Sequence, residues 1–371
     1  GLGNLAACFF YAYFLMQIPV GIILDKWSPR IVMTIAVFFC ALSTLVFSYT
    51  HLLFLAQLSR FIMGLTTAFA AVSCFKLAAL WFSPKRFALV SGLSMTVAML
   101  GAICGEAPLS FLVTHIGWRQ TLKCIAVVGF VLCFLIWIII KDKPSTQSKS
   151  LPHADENMSL ATKFSIILKS KQTWLLSLYS GLAFAPLSVF GGLWGVSFIE
   201  TAYRLNALDA AYLVSLSFVG FALGCPLVGW ISDYIKQRKR LIVLGTVIAL
   251  ICISLVLYVP MSSFFLAVCL GLFGMGASCF FLCFSMIKEL HPLIFTATVL
   301  GFMNTFDSIC EAVTEPLIGK LLDLHWSGAY EGGARAFSVG DYHYGLLTLP
   351  IYLVISLFVL CFIRETYCTE S

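Results

Sequence analysis

Asp307, Glu311 and Glu315 stand four and then four residues apart in a segment, 295–319, that is otherwise largely apolar. On a helix that spacing places all three on one slowly drifting face. A charge at membrane depth costs roughly 2.5–3.5 kcal/mol on insertion scales, so each such residue implies a task. Three carboxylates stacked in a low-dielectric bundle would not all stay ionised, since each repels the next and all lose water. The chemistry to expect is proton loading and release. Asp307, with Asn304 beside it, falls near the middle of its segment, where carriers bind their solutes. The plainer reading is a set of carboxylates around a wet vestibule, most natural for Glu315 near the outer end.

Other ionisable groups lie within apolar runs. Arg60 is eight residues inside the outer end of its segment and Glu106 about six from the outer end of the next, so their depths agree. They read either as a substrate- or proton-linked pair or as a structural pair that lowers insertion cost. Lys76 follows Arg60 by sixteen residues, about 24 Å further inward. It either snorkels to the boundary, or binds a substrate carboxylate or helps to close an inner gate. Tyr11, Tyr13 and Gln17 on the first segment, and Tyr179 and Trp194 in the second half, could face a cavity; a residue of this kind, taken alone, is more often a packing or interface residue.

The elements that must position these residues follow from composition. The chain has 371 residues, 60% of them apolar and 11% charged, with a mean hydropathy of +0.98. Soluble domains carry about 25% charged residues. So few charges could not cover a water-soluble surface, which excludes an ordinary soluble enzyme and a disordered chain. The balance of 23 Lys+Arg to 17 Asp+Glu is too even for a nucleic-acid partner. Apolar runs of the roughly 20 residues that a bilayer requires occur at 4–24, 31–50, 52–75, 87–112 and 121–140. After a polar loop at 141–172, six more follow at 173–199, 210–231, 241–259, 264–287, 295–319 and 344–363. The prediction is an all-α polytopic membrane protein with eleven spans. Its parts are a first bundle (1–140), a central loop (141–172), a second bundle (173–363) and a tail (364–371). Lys and Arg divide sixteen to five in favour of the loops that include 141–172 and the tail, which assigns those loops and the C-terminus to the cytoplasm. The 14 Cys lie mostly in apolar runs and read as packing residues; no metal-ligand spacing, phosphate loop or hydrolase motif occurs, so no metal, cofactor or enzymatic role is expected.

The two halves repeat one another. Pro19, Gly21, Asp25, Lys26 and Arg30 end the first span; Pro226, Gly229, Asp233, Arg238 and Lys239 do the same in the second half. Gly92 precedes Glu106 by fourteen residues, and Gly301 precedes Glu315 by fourteen. These residues resemble the Gly-x-x-x-Asp-basic loop motif of the major facilitator superfamily of secondary transporters. Arg60-x-x-x-Gly64 is similar to that family's fourth-helix motif. Ser28-Pro29 departs from the usual glycine. The stretch Tyr11 to Gly21, with Arg364-Glu365-Thr366-Tyr367-Cys368 at the end, is similar to phagosomal transporters of intracellular gamma-proteobacteria and to lysosomal dipeptide carriers.

The resemblance implies a major facilitator fold of two pseudo-symmetric bundles, with 11 of its 12 helices present and family helix one missing. It also implies alternating access of a small polar organic solute across a bacterial inner membrane by a monomer. Amino acids are the first expectation for that solute, nucleosides or dipeptides the next, with protons as the coupling ion. Gly21, Asp25, Lys26, Arg30, Gly229, Asp233, Arg238 and Lys239 would form a cytoplasmic gate, with Asp25 and Asp233 bridging to neighbouring helices. The alternative is a transport-inactive remnant or membrane scaffold.

Overall fold

The computed structural model describes residues 2–142, 160–291, 296–326, 328, 330–331 and 334–367. Each apolar run becomes a helical pass. The first half holds α1 (Leu2–Lys26), α2 (Pro29–Tyr49), α3 (Leu53–Thr67) continuing as α4 (Phe69–Trp81), α5 (Pro84–Ile116) and α6 (Trp118–Ile139). A short α7 (Leu160–Lys169) lies within the stretch read from sequence as a polar loop. The second half holds α8 (Lys171–Val189), a π-helical turn Phe190–Trp194 and α9 (Gly195–Tyr203), then α10 (Ala207–Ile235) and α11 (Arg238–Tyr258). There follow α12 (Ser263–Ala277), a 3-10 turn Ser278–Phe281, α13 (Leu282–Glu289), α14 (Thr296–His325), α15 (Val339–Leu346) and α16 (Thr348–Phe362). Among the described residues eight helical stretches are long and apolar enough to cross a bilayer; α1, α5 and α14 are long helices beside them. The only strands among the described residues are the pairs Tyr330–Glu331 and Ala334–Arg335.

Local chemistry sets the breaks. Ser28 accepts from the Ile31 amide and Pro29 opens α2, a favoured N-terminal arrangement. Ser170 caps α8 and Asn206 caps α10 in the same way. Pro186 removes one amide hydrogen bond, and the helix relaxes into the π turn directly after it. Outward-facing Phe38, Val131, Ile251 and Phe358 are 42%, 53%, 52% and 65% exposed, as lipid contact requires.

Two cross-half contacts organise the molecule: α1 lies on α14, and α10 lies on α5. Each centres on a glycine. A Cβ at Gly301 would stand 2.6 Å from the Gln17 carbonyl oxygen, and one at Gly92 would strike the Cys225 carbonyl. Gln17 and Cys225 are 208 positions apart, as are Asp25 and Asp233, so the two contacts are copies of one another. The halves differ elsewhere. Gly181 on α8 packs against Phe306 and Cys310 of α14, whereas of the matching α5 residues Val97 is 67% exposed and, among the described residues, nothing lies within 4 Å of a Cβ at Gly101.

Candidate functional site

The helix ends where Lys and Arg concentrate form one cluster. Asp25 closes α1 with a side chain only 1% exposed. Its Oδ2 accepts from the Thr298 amide at 3.0 Å and from the Thr298 hydroxyl, at the start of α14 in the opposite half. Its Oδ1 pairs with Lys76 Nζ at 3.3 Å, and the same ammonium donates to the Leu24 carbonyl. Lys76 therefore does not snorkel outward; it turns inward onto the aspartate.

Asp233 repeats the arrangement. Its Oδ2 accepts from the Leu89 amide of α5 at 3.3 Å, across the halves. Leu89 and Thr298 each stand three residues before the matched glycines Gly92 and Gly301. Asp233 Oδ1 pairs with Arg238 at 3.3 Å. The Arg238 side chain is fully buried; it donates twice to Glu289 Oε1, at 2.9 and 2.7 Å, and to Ser232 Oγ at 3.1 Å. A guanidinium held by two carboxylates and a hydroxyl keeps its donors satisfied without water. Between the two aspartates the halves also meet through stacked Phe75 and Phe284, 4.9 Å between centroids, and through Lys288 over Phe87 at 4.4 Å. Gly21 and Gly229 are buried at this seam.

Three residues expected beside the aspartates are elsewhere. Arg30 donates to the Trp137 carbonyl and lies 4.3 Å over that ring, so it serves α6 and not Asp25. Lys239 donates to the Ile363 carbonyl at 2.7 Å. Lys26 is exposed. The physical reason is geometric: on the first turn of the next helix Arg30 and Lys239 face the last helix of their own half, whereas Arg238, on that same turn of α11, faces Asp233.

Deeper in the molecule a second polar cluster joins the halves. Asn304 Nδ2 donates to Gln17 Oε1 at 2.6 Å, and both side chains approach the Tyr13 hydroxyl. One turn on, Asp307 is buried and accepts from Ser180 Oγ of α8 at 2.6 Å. Among the described residues no cation lies within ion-pair distance of it. Glu311 stands near Ser188, just before the π turn. Glu315 continues the stripe, and Trp194 packs against Gly319 one turn further. The helical spacing thus carries the three carboxylates along one face, against α8.

Several expected residues are not brought into this cluster. Tyr179 is buried inside the second half, its hydroxyl 2.7 Å from Thr246 of α11; burial on that side makes it a packing residue. Tyr11 is 66% exposed, two residues off the Tyr13–Gln17 face. Arg60 lies 5.7 Å from the Phe9 ring within its own half. The Glu106 backbone is helical but its side chain falls outside the described residues, so the Arg60–Glu106 pairing is not among the observed contacts. Thr298, Leu89, Glu289, Ser180 and Ser188 were not singled out from sequence. The first two could have been, by extending the repeat three residues back from each glycine.

Two helical halves joined by duplicated contacts, with buried carboxylates between them, define a membrane carrier fold. Residues 1–315 match the model of the Major Facilitator Superfamily, and the chain belongs to that family. It is 24% identical over 87% of its length to the "Uncharacterized transporter YybO" of Bacillus subtilis, covering 79% of that protein. It is 26% identical over 87% of its length to the "Probable galactarate/D-glucarate transporter GarP" of Escherichia coli, covering 80% of that protein. A crystal structure of the E. coli fucose:proton symporter FucP superposes with a TM-score of 0.76 at 17% identity, over 97% of this chain and 90% of that one. These relatives correct the subfamily expectation: the name of GarP refers to sugar acids, and neither name refers to phagosomal amino-acid or lysosomal dipeptide carriage. The chain is a multi-pass membrane transporter and not an enzyme.

Proposed function

We propose that the protein carries a small hydroxylated organic acid together with protons, by alternating access, and that the cluster around Asp25 and Asp233 is its gate. The observation that carries the coupling reading is Asp307: a buried carboxyl at mid-span, held by one hydroxyl and by no cation among the described residues. An organic anion cannot settle beside Asp307, Glu311 and Glu315 while they are charged. At about 4 Å, two like charges repel by roughly 4 kcal/mol at an effective dielectric of 20. Protonation of the stripe removes that barrier, so solute and proton enter together. Sugar acids are the class the relatives' names suggest, and the amide and hydroxyl groups of Gln17, Asn304 and Tyr13 suit a polyhydroxylated solute.

The gate reading rests on reciprocity. Each aspartate holds the start of a helix in the other half, and rocking the halves apart breaks both contacts at once. With this end shut, the solute would approach from the opposite side. The predominance of Lys and Arg supports a cytoplasmic shut end; the proposal places the carrier in a bacterial inner membrane with a single chain as the working unit. Proton movement tests the coupling. In liposomes holding a pH-sensitive dye, adding D-glucarate or galactarate should acidify the lumen, and Asp307→Asn, which preserves an acceptor for Ser180, should abolish the signal. Solute uptake without any proton signal would refute the coupling.

A further inference from the structure

The two halves share a second duplicated contact, on the flank of the gate, that the aspartate motif does not include. In the first half, Asp142 follows α6 and accepts from the Ser28 hydroxyl at 2.5 Å and the Arg30 amide at 2.9 Å, at the start of α2. In the second half, Glu365 follows α16 and accepts from the Arg238 and Lys239 amides at 3.0 and 2.9 Å, at the start of α11. A basic side chain returns each time to the end of the same last helix: Arg30 to the Trp137 carbonyl, and Lys239 to that of Ile363. Gln172 adds a clasp in the second half, accepting from the Arg364 amide and donating to the Phe362 carbonyl.

We propose that Asp142 and Glu365 are positioning residues of the gate, each welding the last helix of its half to the helix that follows the gate aspartate. This inference rests on the gate reading. A carboxylate that caps two amides fixes the first turn of a helix. In the second half that turn begins with Arg238, whose side chain reaches Asp233 directly, and Asp233 holds the Leu89 amide across the seam. A line of contacts therefore runs from the C-terminal segment to the opposite half. In the first half the line is weaker, because Arg30 turns away and Asp25 is held by Lys76 instead. The two caps are alike in geometry and unequal in consequence. Glu365 steadies the gate through Arg238, and Asp142 does so only through the backbone of the turn.

The test reads gate opening directly. In a chain whose only cysteine is Phe284→Cys, the thiol lies beneath the seam against Phe75, and its maleimide labelling rate in membrane vesicles rises with the open fraction. Asp233→Asn in that background should raise the rate and serves as the gate control. Glu365→Gln presents an amide to two N–H donors and should raise the rate about fivefold, the effect of losing a helix cap. Asp142→Asn should raise it less, and Glu365→Asp, which keeps both acceptors, should stay within about twofold of the parent. A second chain, with native Cys279 as its only cysteine, reports on the interior of the second half, where that side chain packs by Gly245. Its rate should not change. If Asp233→Asn accelerates labelling and Glu365→Gln does not, the positioning role is overturned while the gate stands. If Asp233→Asn has no effect, the gate reading itself falls. Parallel acceleration at Cys279 would show general loss of fold and would equally overturn the assignment.

Discussion

Replacing Gly301 with alanine should open the gate. In an unconstrained helix the change would stabilise, since alanine is the better helix former by about 1 kcal/mol. At this position the new Cβ would stand 2.6 Å from the Gln17 carbonyl oxygen, where ordinary contact begins at 3.4 Å. The obstacle is backbone on a facing helix and cannot rotate away. Relief requires α1 and α14 to separate by close to an ångström where the halves meet. Overpacking of this sort costs about 1–3 kcal/mol, and here the cost falls on the closed state alone. The open-to-closed ratio should rise about 5- to 150-fold. Gly92→Ala, aimed at the Cys225 carbonyl, should act in the same direction. Gly101→Ala, with nothing near its Cβ among the described residues, should leave labelling at position 284 unchanged. Equal labelling of the Gly301, Gly92 and Gly101 variants would refute the claim that these glycines set the closed contact.

Further consequences follow from the same geometry. Thr298→Val removes the hydroxyl donated to Asp25 but keeps the amide contact, so labelling should rise less than for Asp25→Asn. Arg238→Met strands Asp233 and Glu289 as neighbouring buried carboxylates, and unfolding in detergent should show a loss of about 3–5 kcal/mol. His291, in the loop after α13, contacts Thr173 at 2.7 Å, and burial holds its imidazole below the ordinary value. The folded state thus binds fewer protons than the unfolded state, so this contribution is complete above about pH 6.5 and is lost as pH falls through the depressed folded value. Tm should decline over that acidic range, and His291→Asn should flatten the slope.

The fold was largely legible because bilayer crossing constrains composition and length so tightly. Apolar runs located every pass, and the Pro, Gly and Asp residues of the repeat located the seam. The pairing within the seam was less legible. Asp25 and Asp233 announce themselves, but each accepts from a backbone amide, of Thr298 and of Leu89, and an amide donor carries no side-chain signature. Arg30 and Lys239 look like gate residues by spacing, yet the turn between them and the aspartates points both toward the last helix of their own half. Tyr179 misled for a related reason: a polar aromatic on α8 can face the seam or the interior, and its hydroxyl found Thr246 inside. Spacing predicted the face of the carboxylate stripe but could not supply Ser180 and Ser188, which come from a helix more than a hundred residues away in sequence.

Uptake of labelled D-glucarate and galactarate into proteoliposomes, with the exterior made acidic or held at the internal pH, tests the central claim most directly. Gradient-driven accumulation that collapses when the gradient is dissipated, and that is lost in Asp307→Asn, is the predicted result. Accumulation of the same size with and without a gradient, retained in Asp307→Asn, would contradict it.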